Sequence, residues 1–205
     1  MSPRPYSLGR RQAAAAETRA KVLEAARTLL SADEGVAGFS VDAVARAAGV
    51  ARMTVYYQFG SRQGLMEAMM EAVRERGRGE RLAEALERAD GLEALDAFIP
   101  AVADFWERDR RVVRRLRGLA AMDPDMEGVV RPRDERRRQA FAALLGRLAP
   151  KLRPAPDEMQ AAADMLYAIV SFETFETLAG PERTFPQVAP LVRRMAHRAV
   201  GIPDG

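Results

Sequence analysis

Between residues 51 and 62 the chain reads Ala Arg Met Thr Val Tyr Tyr Gln Phe Gly Ser Arg, which gathers two guanidinium groups and four hydroxyls into a short span. Groups of this kind bind rather than catalyse. Arg52, near the start of a helix, can engage both acceptors on a guanine edge with its forked donors. The hydroxyls of Thr54, Tyr56 and Tyr57 recur at spacings that reach phosphate oxygens, contacts that fix register without reading sequence. Ser61 and Arg62 open a further helix, whose free amides and dipole favour an anion, and Arg10 and Arg11 upstream can add phosphate or minor-groove contacts. Taken singly, each of these residues reads equally well as solvated surface or as the edge of a core.

The elements that must hold this set can be read from apolar spacing and breakers. Val22, Leu23, Ala26, Leu29 and Leu30 form the buried stripe of a first helix over about residues 13–31, ended by Gly35 and Gly38. Ser40 is placed to cap a second helix, with Asp42 in its first turn and Val41, Val44, Ala45 and Ala48 on one face. Gly49 stops it, because the position after a helix often takes positive φ. Val55 and Phe59 supply the inward face of a third helix. Two short helices joined at Gly49 and Val50 make a helix-turn-helix, in which Arg52, Met53, Tyr56 and Tyr57 are left facing outward. Ser61 then caps a fourth helix that turns Leu65, Met69, Ala72 and Val73 inward.

Beyond it, Gly77 and Gly79 weaken the helix, and Asp90 with Gly91 marks a second break. A domain boundary is expected near residue 80: a DNA-binding domain over 1–80, with an arm over about 1–12, and a second domain over 81–205. Pro124, Pro132, Pro154 with Pro156, and the Gly180–Pro181 pair divide the remainder into about four helices. Its last two helices are expected over about 157–179 and 185–200. No run of alternating β-branched residues suggests a sheet, so the expected class is all-α, with about nine helices.

Composition narrows the function. The 205 residues hold 48% hydrophobic and 30% charged residues, no cysteine and one histidine, His197. Disulfides, thiol nucleophiles and histidine-based metal sites are thereby excluded, and neither a cofactor nor a metal is expected. His197 is read as a surface residue, and the Arg110–Arg117 run as a solvated face, with a second acidic partner as the alternative. No stretch approaches a membrane span or a secretion signal, which implies a cytoplasmic protein. Net charge is +3, but residues 1–65 carry nine Arg plus Lys against five Asp plus Glu, or +4, leaving −1 for the rest. The positive excess suits a polyanion partner at the N-terminal end. An enzyme would need paired acids, a metal cluster or an activated nucleophile, and none stands out.

Residues 40–65, SVDAVARAAGVARMTVYYQFGSRQGL, resemble the tetracycline-repressor (TetR-like) family of bacterial transcriptional regulators. The match comprises the hydroxyl cap, the small residue, the Ala-Gly-Val turn, the Thr-aliphatic-Tyr-aromatic run, and Phe before a capped basic helix start. It is clear over about residues 15–75. Ala51, Met53, Gln58 and Arg62 depart from the residues frequent there. The resemblance implies a three-helix DNA-binding domain joined to a larger helical domain for ligand binding and dimerisation. Its DNA-contact set would be Arg10, Arg11, Ser40, Arg52, Met53, Thr54, Tyr56, Tyr57, Ser61 and Arg62. It further implies a homodimer through the last two helices, pseudo-palindromic double-stranded operator DNA as partner, and a small-molecule effector that releases it. A repressor is the reading; an activator with the same grip, or a helical adaptor that binds only proteins, is the alternative.

Candidate effector contacts are Phe98, Val102, Phe105, Trp106, Met122, Met126, Phe141, Met165, Tyr167 and Phe172, all of which also read as ordinary core. Glu173 and Glu176 intrude on apolar faces. They could meet a ligand, an arginine of a second subunit, or solvent.

Overall fold

The structure is a computed structural model that describes residues 6–33, 38–152 and 156–202. Residues 1–5 of the expected arm, Gly35 and Pro154 lie outside that range. The described residues are helical without strands: α1 (Tyr6–Ser31), α2 (Val41–Ala48), α3 (Arg52–Phe59), α4 (Arg62–Arg76), α5 (Glu80–Leu86), α6 (Gly91–Arg108), α7 (Arg110–Met122), α8 (Pro124–Leu152), α9 (Pro156–Ile169), α10 (Phe172–Ala179) and α11 (Phe185–Ala199).

Eleven helices rather than nine arise from local chemistry. The stretch between the glycine pair and Asp90 is long enough to wind α5. The expected single helix over 157–179 is two, because Ser171 caps a new one: its Oγ accepts from the Thr174 amide at 3.1 Å. Pro132 ends nothing. It sits inside α8, where proline costs about 3 kcal/mol through a lost hydrogen bond and a clash. The carbonyl it deprives belongs to the exposed Gly128, and buried Val129 and Val130 before it and Phe141, Leu144 and Leu145 after it hold the helix together. Arg10 and Arg11 lie inside α1, not in an arm that precedes it.

The chain forms two compact units and passes between them three times. One holds the chain as far as Val73 together with Arg111–Val129, the other Arg74–Arg110 together with the chain from Val130 onward. In the first unit Val22, Ala26 and Leu30 of α1, Val44 of α2, and Leu65 and Met69 of α4 are fully buried, and Leu23 and Leu29 are half-buried at the edge of the stripe. Arg115 of α7 donates to the carbonyls of Leu30 and Ala32, capping the C-terminal end of α1 from a distant part of the chain.

In the second unit an aromatic cluster ties α6, α10 and α11 together. Trp106 meets Phe172 and Phe175 edge-on at 5.8 and 5.6 Å, and Phe172 meets Phe185 at 5.4 Å. Arg110 closes it, its guanidinium 4.5 Å above the Phe185 ring and donating to Glu176 at 2.9 Å and to the Gly180 carbonyl at 2.7 Å. Arg110 and Arg115 are therefore structural ties, which corrects the solvated-face reading at these two positions, while Arg111 and Arg114 are exposed. His197 is half-buried in α11 and shares a 2.6 Å hydrogen bond with Asp96 of α6. Gly77, read as a helix weakener, makes room for Phe105, whose ring atom would lie 2.3 Å from an added Cβ.

Candidate nucleic-acid interface

The helix-turn-helix is set by its caps. The Ser40 hydroxyl accepts from the Ala43 amide at 3.1 Å, and Asp42 stands in the first turn of α2. Gly49 ends α2 at φ 66° and ψ 33°, and the Val50 amide reaches back to the Ala45 carbonyl at 3.0 Å, a left-handed closure suited to glycine. Ala51 gives α3 no side-chain cap, so its start rests on the Thr54 amide donating to the Ala51 carbonyl at 2.9 Å.

What α3 lacks in its own signals its neighbours supply. Val55 is 1% exposed and anchors the helix. At its far end Arg19 of α1 donates to the Gln58 carbonyl at 3.0 Å, with its guanidinium 4.4 Å above the Phe59 ring. Ser61 caps α4 by accepting from the Gly64 amide at 2.9 Å, and a Cβ at Gly64 would lie 2.0 Å from the Phe59 carbonyl oxygen. Only a glycine lets the first turn of α4 come this close to the end of α3. Sequence reading missed Arg19 and Gly64; the Gly64 signal, a glycine in the first turn of a helix behind a serine cap, was there to be used.

The residues opposite Val55 project into solvent: Tyr57 is 85% and Met53 72% exposed. Arg52 is exposed beside them, donating to Asp42 at 3.2 Å and to the Tyr56 hydroxyl at 3.3 Å. The Tyr56 hydroxyl first, and the Asp42 carboxylate second, raise the Arg52 pKa above its ordinary value, so the group is a fixed cation. Thr54 and Tyr56 are half-buried, and Ser40, Ser61, Arg10 and Arg11 are exposed. Arg62 is half-buried and paired with Asp123, at the turn between α7 and α8. This arrangement presents a cation, a thioether and a phenol along one exposed helix face, flanked by hydroxyl and amide donors. Such a face can enter a major groove and grip its walls.

Residues 22–69 match the family described as bacterial regulatory proteins, tetR family. The match covers under a quarter of the chain, from within α1 to within α4. The matched stretch contains the helix-turn-helix of α2 and α3. Over 86–89% of its length the chain shares its fold with solved transcriptional regulators. A TetR family transcriptional regulator, PfmR, from Thermus thermophilus is 23% identical, with a TM-score of 0.64 over 86% of this chain and 97% of that one. A TetR-like transcriptional regulator from Rhodococcus sp. RHA1 is likewise 23% identical, with a TM-score of 0.64 over 89% and 95%. A transcriptional regulator of the TerR/AcrR family from Aquifex aeolicus is 17% identical, with a TM-score of 0.62 over 86% and 96%. No curated protein matches the sequence. No helix among the described residues is long and apolar enough to cross a membrane.

The effector candidates do not form one group. Phe98, Val102, Trp106, Phe141 and Phe172 are buried in the second unit, where Phe98 and Phe141 meet edge-on at 5.5 Å. Tyr167 lies half-buried between the Arg137 and Arg138 guanidinium groups, 4.9 and 4.4 Å from its ring centre. Phe105 is half-buried against Gly77. Met122 and Met126 belong to the other unit, and Met122 at 72% and Met165 at 45% exposure line no interior. Glu173 is exposed in the first turn of α10, and Glu176 is held by Arg110 of the same chain.

Proposed function

We propose that this chain is a tetR-type regulator, a cytoplasmic homodimeric repressor that binds a pseudo-palindromic operator and is released by a small molecule held in the second unit. The observation that carries the DNA grip is the exposed Arg52–Met53–Tyr57 face of a helix whose opposite side, at Val55, is fully buried. Arg52 reads a base edge. Thr54, Tyr56, Tyr57, Ser61, Arg10 and Arg11 contact the backbone, and Ser40 flanks them. Arg62 joins them by exchanging the Asp123 carboxylate for a phosphate.

Dimerisation through α9, α10 and α11 is supported by the exposed Ala161, Met165 and Ala168 on α9 and the half-buried Leu191 and Met195 on α11. Two recognition helices would then meet major grooves roughly 34–36 Å apart, and an effector that changes their separation weakens simultaneous engagement. The buried aromatic set around Phe98, Trp106, Phe141 and Phe172 supports an apolar effector contact.

Filter binding of the purified chain to genomic fragments, repeated over a salt series, tests the reading. Affinity should fall steeply with salt, and the retained fragments should share an inverted repeat. Absence of retained duplex at low salt refutes DNA binding. Retention of sites without two-fold symmetry refutes the dimeric grip alone.

A further inference from the structure

A groove of about 320 Å³ runs between α6 and α11 in the second unit, lined by Asp96 and Pro100 of α6 and by Pro186, Ala189, Pro190 and Arg193 of α11. Its size lies at the lower end of small-molecule sites, roughly 300–1,000 Å³. The two helices run antiparallel here, since the Phe185 amide donates to Glu107 at one end and His197 bonds Asp96 at the other. The groove is therefore polarised along its length, with proline rings toward the first end and a carboxylate and a guanidinium toward the second.

Each charged group at that end keeps bonding capacity. One oxygen of Asp96 is held by His197 at 2.6 Å, while the other is only 4.0 Å from Arg193. That separation is too long for a hydrogen bond. Arg193, 53% exposed, makes this loose contact and leaves its fork to the groove. The prolines add acceptors. Pro100 and Pro190 both sit inside helices, and a proline cannot donate to the carbonyl four residues earlier. Those carbonyls belong to Asp96 and Pro186, both lining residues.

We propose that the groove between α6 and α11 is a binding site for a small apolar α-amino acid. Its carboxylate lies on the Arg193 fork, its ammonium on the second oxygen of Asp96 and the undonated carbonyls, and its side chain against Pro100, Pro186 and Pro190. The forked guanidinium selects a planar carboxylate. The acceptors suit the three donors of an ammonium, which neither a fatty acid nor a neutral apolar molecule would satisfy. Pro186, Pro190 and Arg193 follow one another at i, i+4 and i+7, a stripe distinct from Leu191 and Met195. The site thus stands independently of the proposed dimer and of DNA binding.

Titration calorimetry on the full chain with L-phenylalanine, its decarboxylated analogue phenethylamine and its deaminated analogue hydrocinnamate tests the assignment. L-Phenylalanine should bind, and either analogue should bind about tenfold or more weakly. Arg193→Gln should leave the melting temperature unchanged and erase the preference over phenethylamine. Pro190→Ala, which restores an amide donor toward the Pro186 carbonyl and removes a ring from the wall, should weaken L-phenylalanine more than it weakens hydrocinnamate. No heat with L-phenylalanine or L-leucine at millimolar concentration overturns the proposal. So does equal affinity for all three compounds, or unchanged L-phenylalanine affinity in Arg193→Gln.

Discussion

Replacing Gly64 by alanine probes the joint that aims the recognition helix. The added methyl would sit 2.0 Å from the Phe59 carbonyl oxygen and 3.2 Å from its carbon. Both are backbone atoms, so neither can rotate away, and the first turn of α4 must shift from the end of α3 by roughly an ångström. Overpacking of this kind costs about 1–3 kcal/mol, and alanine returns about 1 kcal/mol through better helix propensity than glycine. An immovable neighbour favours the upper end of the cost, leaving a net loss of about 1–2 kcal/mol, which for a chain of this size lowers the melting temperature by roughly 2–8 °C. Gly118 in α7 is the matched control. A Cβ there meets nothing within 4 Å, so Gly118→Ala should gain about 0.4–1 kcal/mol. Thermal unfolding of both variants beside the parent, with DNA titrations, gives the readout. A Gly64→Ala protein as stable as the parent, or one that loses stability while Gly118→Ala loses as much, would refute the steric account.

Arg52→Ala should reduce discrimination between an operator and random duplex by roughly 5- to 150-fold, with a smaller loss on random duplex; equal losses in competition assays would remove Arg52 from base reading. Asp123 is held below the ordinary carboxylate value of 3.8, chiefly by its hydrogen bond from Arg62. Its folded pKa is depressed, so its contribution is present above that ordinary value and is lost as pH falls through the lower folded one. The difference in urea midpoint between parent and Asp123→Asn should hold from pH 7 to about 4 and shrink below it. Glu176→Ala strips a carboxylate from the largely buried Arg110, which keeps the Gly180 and Arg183 carbonyls. A loss of about 1.5–3 kcal/mol in urea unfolding is expected, whereas a purely ligand-facing Glu176 would leave stability unchanged.

The helix-turn-helix was legible because its determinants are local: Ser40, Asp42, Gly49 and Val55 act on residues within a few positions of themselves. What escaped reading depends on partners remote in sequence. Nothing near Arg115 says that it will reach the end of α1 some eighty residues earlier, nor anything near Arg110 that it will sit on Phe185. Pro132 reads as a breaker because the apolar residues that carry α8 past it are weighed only once the core exists. The break at Ser171 needs the opposite correction. A single hydroxyl cap outweighs an apolar pattern that runs on through it. The aromatic candidates were correctly seen as bulky and apolar, but periodicity carries no information on whether Met122 or Met165 turns in or out.

Regulators of this architecture invite exchange of their reading heads, cutting after the fourth helix and grafting the N-terminal piece onto another body. Here such a cut at residue 80 would sever more than a peptide bond. The stretch from Arg111 to Val129 groups with the N-terminal helices, supplying Arg115 to the end of α1 and Asp123 to Arg62. A graft that omits it strands two open helix-end carbonyls and an unpaired arginine, so a working chimera must carry both stretches of chain or redesign the residues they meet.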